Sequence, residues 1–183
     1  MTSTHLTDMT SPHDDAACEV AHGTAPAQAL AGQKVLVAVF ATPVAEFLLR
    51  YGSDAGYRPV LVEPDPERAA AARRSGAEVA AAVADFGAAA DVVVTDHHRP
   101  ELGVMLRDAL ASPARWVGIM GNPRHEGPHI AALTELGVPA EEIGRVHRPI
   151  GINIGSRTPA EIAIATLAGL IADRNGKPGG FTF

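Results

Sequence analysis

The chain has 183 residues, of which 46% are hydrophobic and 4% aromatic, with a formal net charge of −6. That suffices for one domain whose core is built from Ala, Val, Leu and Ile, side chains that suit helices lying close on a sheet. The acidic balance, without a Lys/Arg cluster, excludes nucleic acid and anionic membranes as main partners, and the single cysteine, Cys18, rules out an internal disulfide and fits a reducing compartment.

Residues 1–32 are rich in Ser, Thr, Asp, His and Ala without hydrophobic periodicity, and read as a tail that cannot offset its ordering entropy. Its histidines, His5, His13 and His22, match no metal-ligand spacing, and Cys18 has no basic neighbour to make it a nucleophile. The stretch lacks the basic start and apolar centre of a signal peptide. The longest apolar run, "VLVAVFATPVAEFLL", is broken by Pro43 and Glu46 and is too short to span a bilayer. The expected location is the cytoplasm.

From 33 to 176 short apolar runs alternate with helical segments, the pattern of βαβ units on a parallel sheet. Strands are predicted over 34–40 ("KVLVAVF"), 58–63 ("RPVLVE"), 78–83 (a weak one), 90–96 ("ADVVVTD") and 115–121 ("RWVGIMG"). Helices are predicted over 43–55, 65–76, 101–111 and 126–137, then a short connection and "RVHRPIG". A last helix follows Thr158, with Ile164, Leu167, Ala168 and Ile171 as its sheet-facing stripe, and 177–183 reads as a C-terminal tail. The fold class is therefore α/β, a Rossmann-like doubly wound, mainly parallel sheet with helices on both faces. Ligands bind such sheets beyond the carboxyl ends of the strands, where residues 40–45, Glu63, 95–98, 121–124 and 151–158 fall together.

The most informative stretch is "RPIGINIGSRTPAEIAIATLAGLIA" (148–172). Thr158 is a good N-cap, Pro159 suits the first helical position, and Glu161 completes a capping box. Gly151, Gly155 and Ser156 leave backbone open in front of that helix, and the first-turn amides, the helix dipole and Arg157 favour an anion there. The alternative is a tight turn feeding a terminal helix. "TDHH" (95–98) reads either as a hydrogen-bonding pocket edge or as metal ligands. Because adjacent His97 and His98 are expected to point apart, with no second ligand pair beside them, no metal site is expected. His125, His129 and His147 read as surface or helix-face residues and Trp116 as core. No G-x-S-x-G elbow follows a strand, which disfavours a Ser-His-Asp hydrolase.

Together these residues resemble the Rossmann-type C-terminal domain of the XdhC/CoxI family, accessory proteins for molybdenum hydroxylases such as xanthine dehydrogenase and carbon monoxide dehydrogenase. "PIGINIGSRTPAEIAIATLA" is similar to the family's Pro-Ile-Gly, Ile-Gly-Ala/Ser, Arg-Thr-Pro and Glu-Ile-Ala signature; "VVVTDHH" and "SPARWVGIMGNPRH" resemble its two other strand ends. The likeness covers about 34–175. It implies an accessory protein that binds the molybdenum cofactor (molybdopterin), or a related phosphate-bearing pterin or nucleotide, for a molybdenum hydroxylase apoenzyme, and it implies a homodimer. The candidate cofactor-binding residues are Thr95, His97, Gly121, Asn122, Gly151, Asn153, Gly155, Ser156, Arg157 and Thr158; no catalytic residue is assigned.

The chain departs from the family at the first strand-to-helix turn, where "FATPVA" (40–45) replaces the usual Gly-Ala-Gly-His. Glycine there lets backbone amides approach a pyrophosphate, and Pro43 removes one amide outright. NAD(P) is accordingly disfavoured as a cofactor. Glu63, about 20 residues past the turn, is a possible ribose-binding acid or a solvated residue at the start of the next helix. Asn122-Pro123 replaces the usual Ser-Arg after Gly121, leaving Arg124 as the nearest cation. Two alternatives to the accessory role stay open: an NAD(P)-dependent oxidoreductase, and a degenerate scaffold binding only a partner protein.

Overall fold

The structure, a computed structural model, describes residues 33–84, 86–121 and 127–180. The expectations for 1–32, and for Asn122, Arg124 and His125, lie outside the described residues.

Five strands form one parallel sheet: β1 (Val35–Val39), β2 (Arg58–Val62), β3 (Val79–Ala80), β4 (Ala90–Val94) and β5 (Trp116–Ile119), in the order β3-β2-β1-β4-β5. The expected α/β fold is present. β1 pairs with β2 on one side (Val39 opposite Val62) and β4 on the other (Val39 opposite Val94), so the strand order reverses at the carboxyl end of β1. At the β5 edge a short segment adds a sixth position, with the His147 amide donating to Val117 O and the Ile119 amide to His147 O.

The connecting helices are α1 (Pro43–Asp54), α2 (Pro66–Arg74), α3 (Leu102–Ala111), α4 (Pro128–Glu135), α5 (Ala140–Ile143) and α6 (Pro159–Arg174). Their starts follow from local chemistry. Thr42 accepts from the Ala45 amide ahead of α1, Asp65 accepts from the Glu67 and Arg68 amides ahead of α2, and Thr158 and Glu161 form the expected capping box of α6. The connection after α4 holds α5, which the sequence reading passed over because four residues carry too little periodicity.

Strand side chains alternate between two apolar layers. Val35, Val37, Val39, Val92 and Val94 pack with Leu102, Leu106 and Leu133 of α3 and α4. Leu36, Val93 and Trp116 pack with Leu48 of α1 and Leu167 and Leu170 of α6. Below the sheet, buried Asp91 accepts from Arg115 Nε and Arg174 Nε, each at 2.8 Å, fastening the end of α6 to β4.

Two expectations are corrected. Phe40, read as the last residue of the first strand, leaves it with a left-handed φ of 75°. The stripe on α6 is rotated: Ile164 and Ile171 are exposed, while Ala163, Ala165, Thr166, Leu167 and Leu170 are buried. The cause is the 150–152 loop, which lies on the helix, its Ile152 amide donating to Ala165 O at 3.1 Å. A Cβ on Gly151 would stand 3.0 Å from the Ala165 backbone, and one on Gly169 2.9 Å from the Gly151 Cα. The loop therefore requires the small side of α6 beneath it, turning the isoleucines outward.

Candidate functional site

The β1–α1 turn sits where strand order reverses, the usual ligand crevice of such sheets. Here it is stitched from within. The Ala41 amide donates to Glu63 Oε2 at 2.8 Å, Pro43 has no N–H, and the Ala45 amide donates to Thr42 Oγ1 at 3.1 Å. Thr42 Oγ1 donates to Thr95 Oγ1, which lies 3.0 Å from the carbonyl oxygens of both Val39 and Phe40. Thr95 is buried and thus ties the end of β4 to the turn.

Glu63 is not solvated: it is fully buried, and its Oε1 accepts from the Asp65 amide at 3.0 Å and Arg99 Nη2 at 3.2 Å. Arg99 in turn lies 4.9 Å from the centre of the buried Phe40 ring and pairs with Glu101. Phe40 thus belongs to the core layer, while Glu63, held by Arg99, takes up the Ala41 amide of the turn.

A second group gathers past the carboxyl ends of β4 and β5. His97 lies beside the Met120 carbonyl, and its ring is held below the ordinary imidazole range chiefly by burial, with the charges of His98 and Arg148 adding to the effect. His97 and His98 do not point apart as expected; their ring centres are 4.1 Å apart. Arg148, from the loop after the edge segment, folds over the strand end: a Cβ on Gly121 would stand 2.7 Å from its Nε. Gly127, the N-cap of α4, lies under the same guanidinium and under His129, whose Nδ1 would be 2.4 Å from a Cβ there. Of the two readings, surface or helix face, the second holds: His129 lies on α4 at 6% exposure, and among the described residues its Nδ1 has no hydrogen-bond partner. Burial first, and the Arg148 charge second, push its pKa down.

The third group is the 151–158 loop. Gly151 (φ 82°) is held against α6, so its missing side chain serves loop-to-helix packing. Gly155 (φ 68°) faces open space and donates its amide to Asn153 Oδ1 at 3.3 Å. The Glu161 carboxylate accepts from the Arg157 amide at 2.6 Å and the Thr158 amide at 3.2 Å, and Ser156 Oγ donates to Glu161 O at 3.3 Å. Those amides hold Glu161's carboxylate below its usual range. The Arg157 side chain is exposed and makes no hydrogen bond or ion pair with the described residues.

Of the expected site residues, Thr95, His97 and Gly121 thus lie at the carboxyl ends of β4 and β5. Among the described residues no hydrogen bond or ion pair joins them to Asn153, Ser156, Arg157 or Thr158. The sequence reading missed Arg148, which opens the very stretch it singled out, and His129. Glycines at 121 and 127, flanking a polar run, were the available signal. Among the described residues no three His, Cys, Asp or Glu side chains are placed to hold a metal ion, and no helix is long and apolar enough to cross a membrane.

This architecture defines a Rossmann-type domain with an altered nucleotide turn. Residues 36–170 match the family model described as the XdhC Rossmann domain, and the chain belongs to that family. It is 37% identical over 105 residues to the uncharacterized protein YqeB of Escherichia coli K12, an alignment covering 52% of this chain and 19% of YqeB. It is also similar in fold to a solved structure named a xanthine dehydrogenase from Bacillus halodurans, with a TM-score of 0.62 and 21% identity over 80% of this chain and 46% of that one. The chain therefore spans less than half the length of either.

Proposed function

We propose that the chain is a non-catalytic accessory module that binds the molybdenum cofactor, its nucleotide form or a related phosphate-bearing pterin, and serves maturation of a molybdenum hydroxylase apoenzyme. The observation that carries this reading is membership in the XdhC Rossmann-domain family across residues 36–170. The residues present fit such a ligand's anionic end: Arg148, Arg157 and two helix starts lie toward the carboxyl edge. Thr95, His97 and Asn153 are the side chains we assign to the pterin-facing wall, with Gly121, Asn122, Gly151, Gly155, Ser156 and Thr158 completing it. Dinucleotide binding is the weaker reading, because Glu63 takes the Ala41 amide and the ring of Phe40 is buried beneath the turn. An NAD(P)-dependent oxidoreductase would need turn amides of the kind that Glu63 and Thr42 accept from here.

A homodimer is part of the proposal, to be checked by light scattering at micromolar concentration, where a monomer alone would remove it. The reading itself is tested by purifying the chain from molybdenum-replete cells and oxidising the preparation. Pterin fluorescence near one equivalent per chain is expected; its absence, with a partner enzyme retained, would leave a scaffold that binds protein only.

A further inference from the structure

We propose that the groove between α6 and the β5 edge is a binding site for an amino-substituted six-membered nitrogen heterocycle, free or as the base of a nucleoside. Described residues line a cavity of about 220 Å³ there, between Trp116 at the start of β5, the 149–152 loop and the later turns of α6. The Trp116 and His147 rings, stacked 10° from parallel with centres 4.8 Å apart, form its aromatic wall, and Ile150 and Leu170 add apolar surface. Lys177 and Pro178 border one end, held back on α6 by the Lys177 amide, which donates to Ala172 O at 2.8 Å.

Two polar side chains of α6 line this cavity with bonding capacity the fold does not use. Thr166 is 2% exposed, yet its hydroxyl makes no hydrogen bond with the described residues. Buried polar groups are ordinarily satisfied, and a helical threonine commonly bonds the carbonyl four residues back, as Thr134 does with Ile130 O. Asp173 Oδ2 accepts from Arg115 Nη1, while its Oδ1 accepts from none of the described residues. Thr166 and Asp173 stand seven residues apart on one face of α6, about 10 Å along its axis. Two hydrogen bonds of about 3 Å each leave the width of one six-membered ring between them. The Asp173 carboxylate accepts from an exocyclic amine, the Thr166 hydroxyl donates to a ring nitrogen, and the ring packs against Trp116 and His147. The cavity is smaller than the roughly 300–1,000 Å³ of drug-sized sites, which suits a base and not a dinucleotide.

Trp116 is the only tryptophan of the chain, so its fluorescence reports directly on this cavity. The full chain is titrated with cytosine, cytidine and uracil, and a saturable change is expected with cytosine or cytidine. Uracil carries a carbonyl where cytosine carries the amine, and should bind about tenfold more weakly or worse, the loss of a hydrogen bond to a charged group. In the 15N-labelled chain the Thr166 and Gly169 amides and the Trp116 indole should shift along the same curve. Thr166→Val should fold as the unaltered chain does, because the hydroxyl it removes bonds none of the described residues, and should weaken cytosine about three- to tenfold. No saturable change with cytosine or cytidine at millimolar concentration, shifts centred away from α6, uracil binding as tightly as cytosine, or unchanged affinity in Thr166→Val would overturn the site. The pterin reading stands or falls separately, since Thr166→Val alters none of the residues assigned to the pterin-facing wall.

Discussion

Phe40 offers a direct test of how the altered turn is held. Its ring is fully buried in the layer with Val39, Val94 and Leu106, yet its backbone sits at φ 75°. Truncating a buried phenylalanine to alanine costs about 3–5 kcal/mol, and Phe40→Ala keeps the left-handed backbone that an L side chain resists by roughly 1–2 kcal/mol. Phe40→Gly loses the same ring but relieves that resistance. In ordinary strand or helix positions glycine is less stable than alanine by about 0.5–1 kcal/mol; here the order should reverse, with Phe40→Gly the more stable variant by about 1 kcal/mol. Urea denaturation reads the difference, and in a chain of this size it corresponds to roughly 2–4 °C in Tm. If Phe40→Gly is the less stable of the two, the turn is not left-handed and the reasoning about its closure fails.

Asp91→Asn leaves Arg115 and Arg174 facing each other without their shared carboxylate, and should destabilise by about 3 kcal/mol, the lower end for a broken buried pair because both arginines reach water; a loss under 0.5 kcal/mol, the range of ordinary surface changes, would contradict it. His129 should make the fold acid-sensitive. Its native pKa is lowered, so the unfolded chain takes up the proton first; stability is complete above the ordinary imidazole value of about 6.5 and falls as pH drops from there to the lowered native value. Urea midpoints between pH 5 and 7.5 should slope accordingly and flatten in His129→Gln. Arg157→Ala should shift stability by less than about 0.5 kcal/mol, because its exposed guanidinium makes no hydrogen bond or ion pair with the described residues. Should it instead unfold the domain, the 153–158 loop depends on that side chain.

The sheet was legible because β-branched runs such as "VLVAV" and "ADVVV" stand between capped helices, and those signals are local. Three features were not. The left-handed Phe40 follows from Glu63 and Arg99, which lie 23 and 59 residues away in sequence. The rotated face of α6 follows from the loop laid across Gly169, which periodicity alone does not encode. The corner at α4 joins Gly121, Gly127, His129 and Arg148 through contacts between separate segments, which no local sequence pattern encodes.

Equilibrium binding of molybdopterin and of NAD to the same purified chain tests the central claim most directly. Molybdopterin should bind with micromolar or tighter affinity while NAD gives no saturable signal at millimolar concentration, since the amide of Ala41 is held by Glu63 and Pro43 has none to offer. Micromolar binding of NAD with no binding of molybdopterin would contradict it, and would mean that the β1–α1 turn opens despite Phe40.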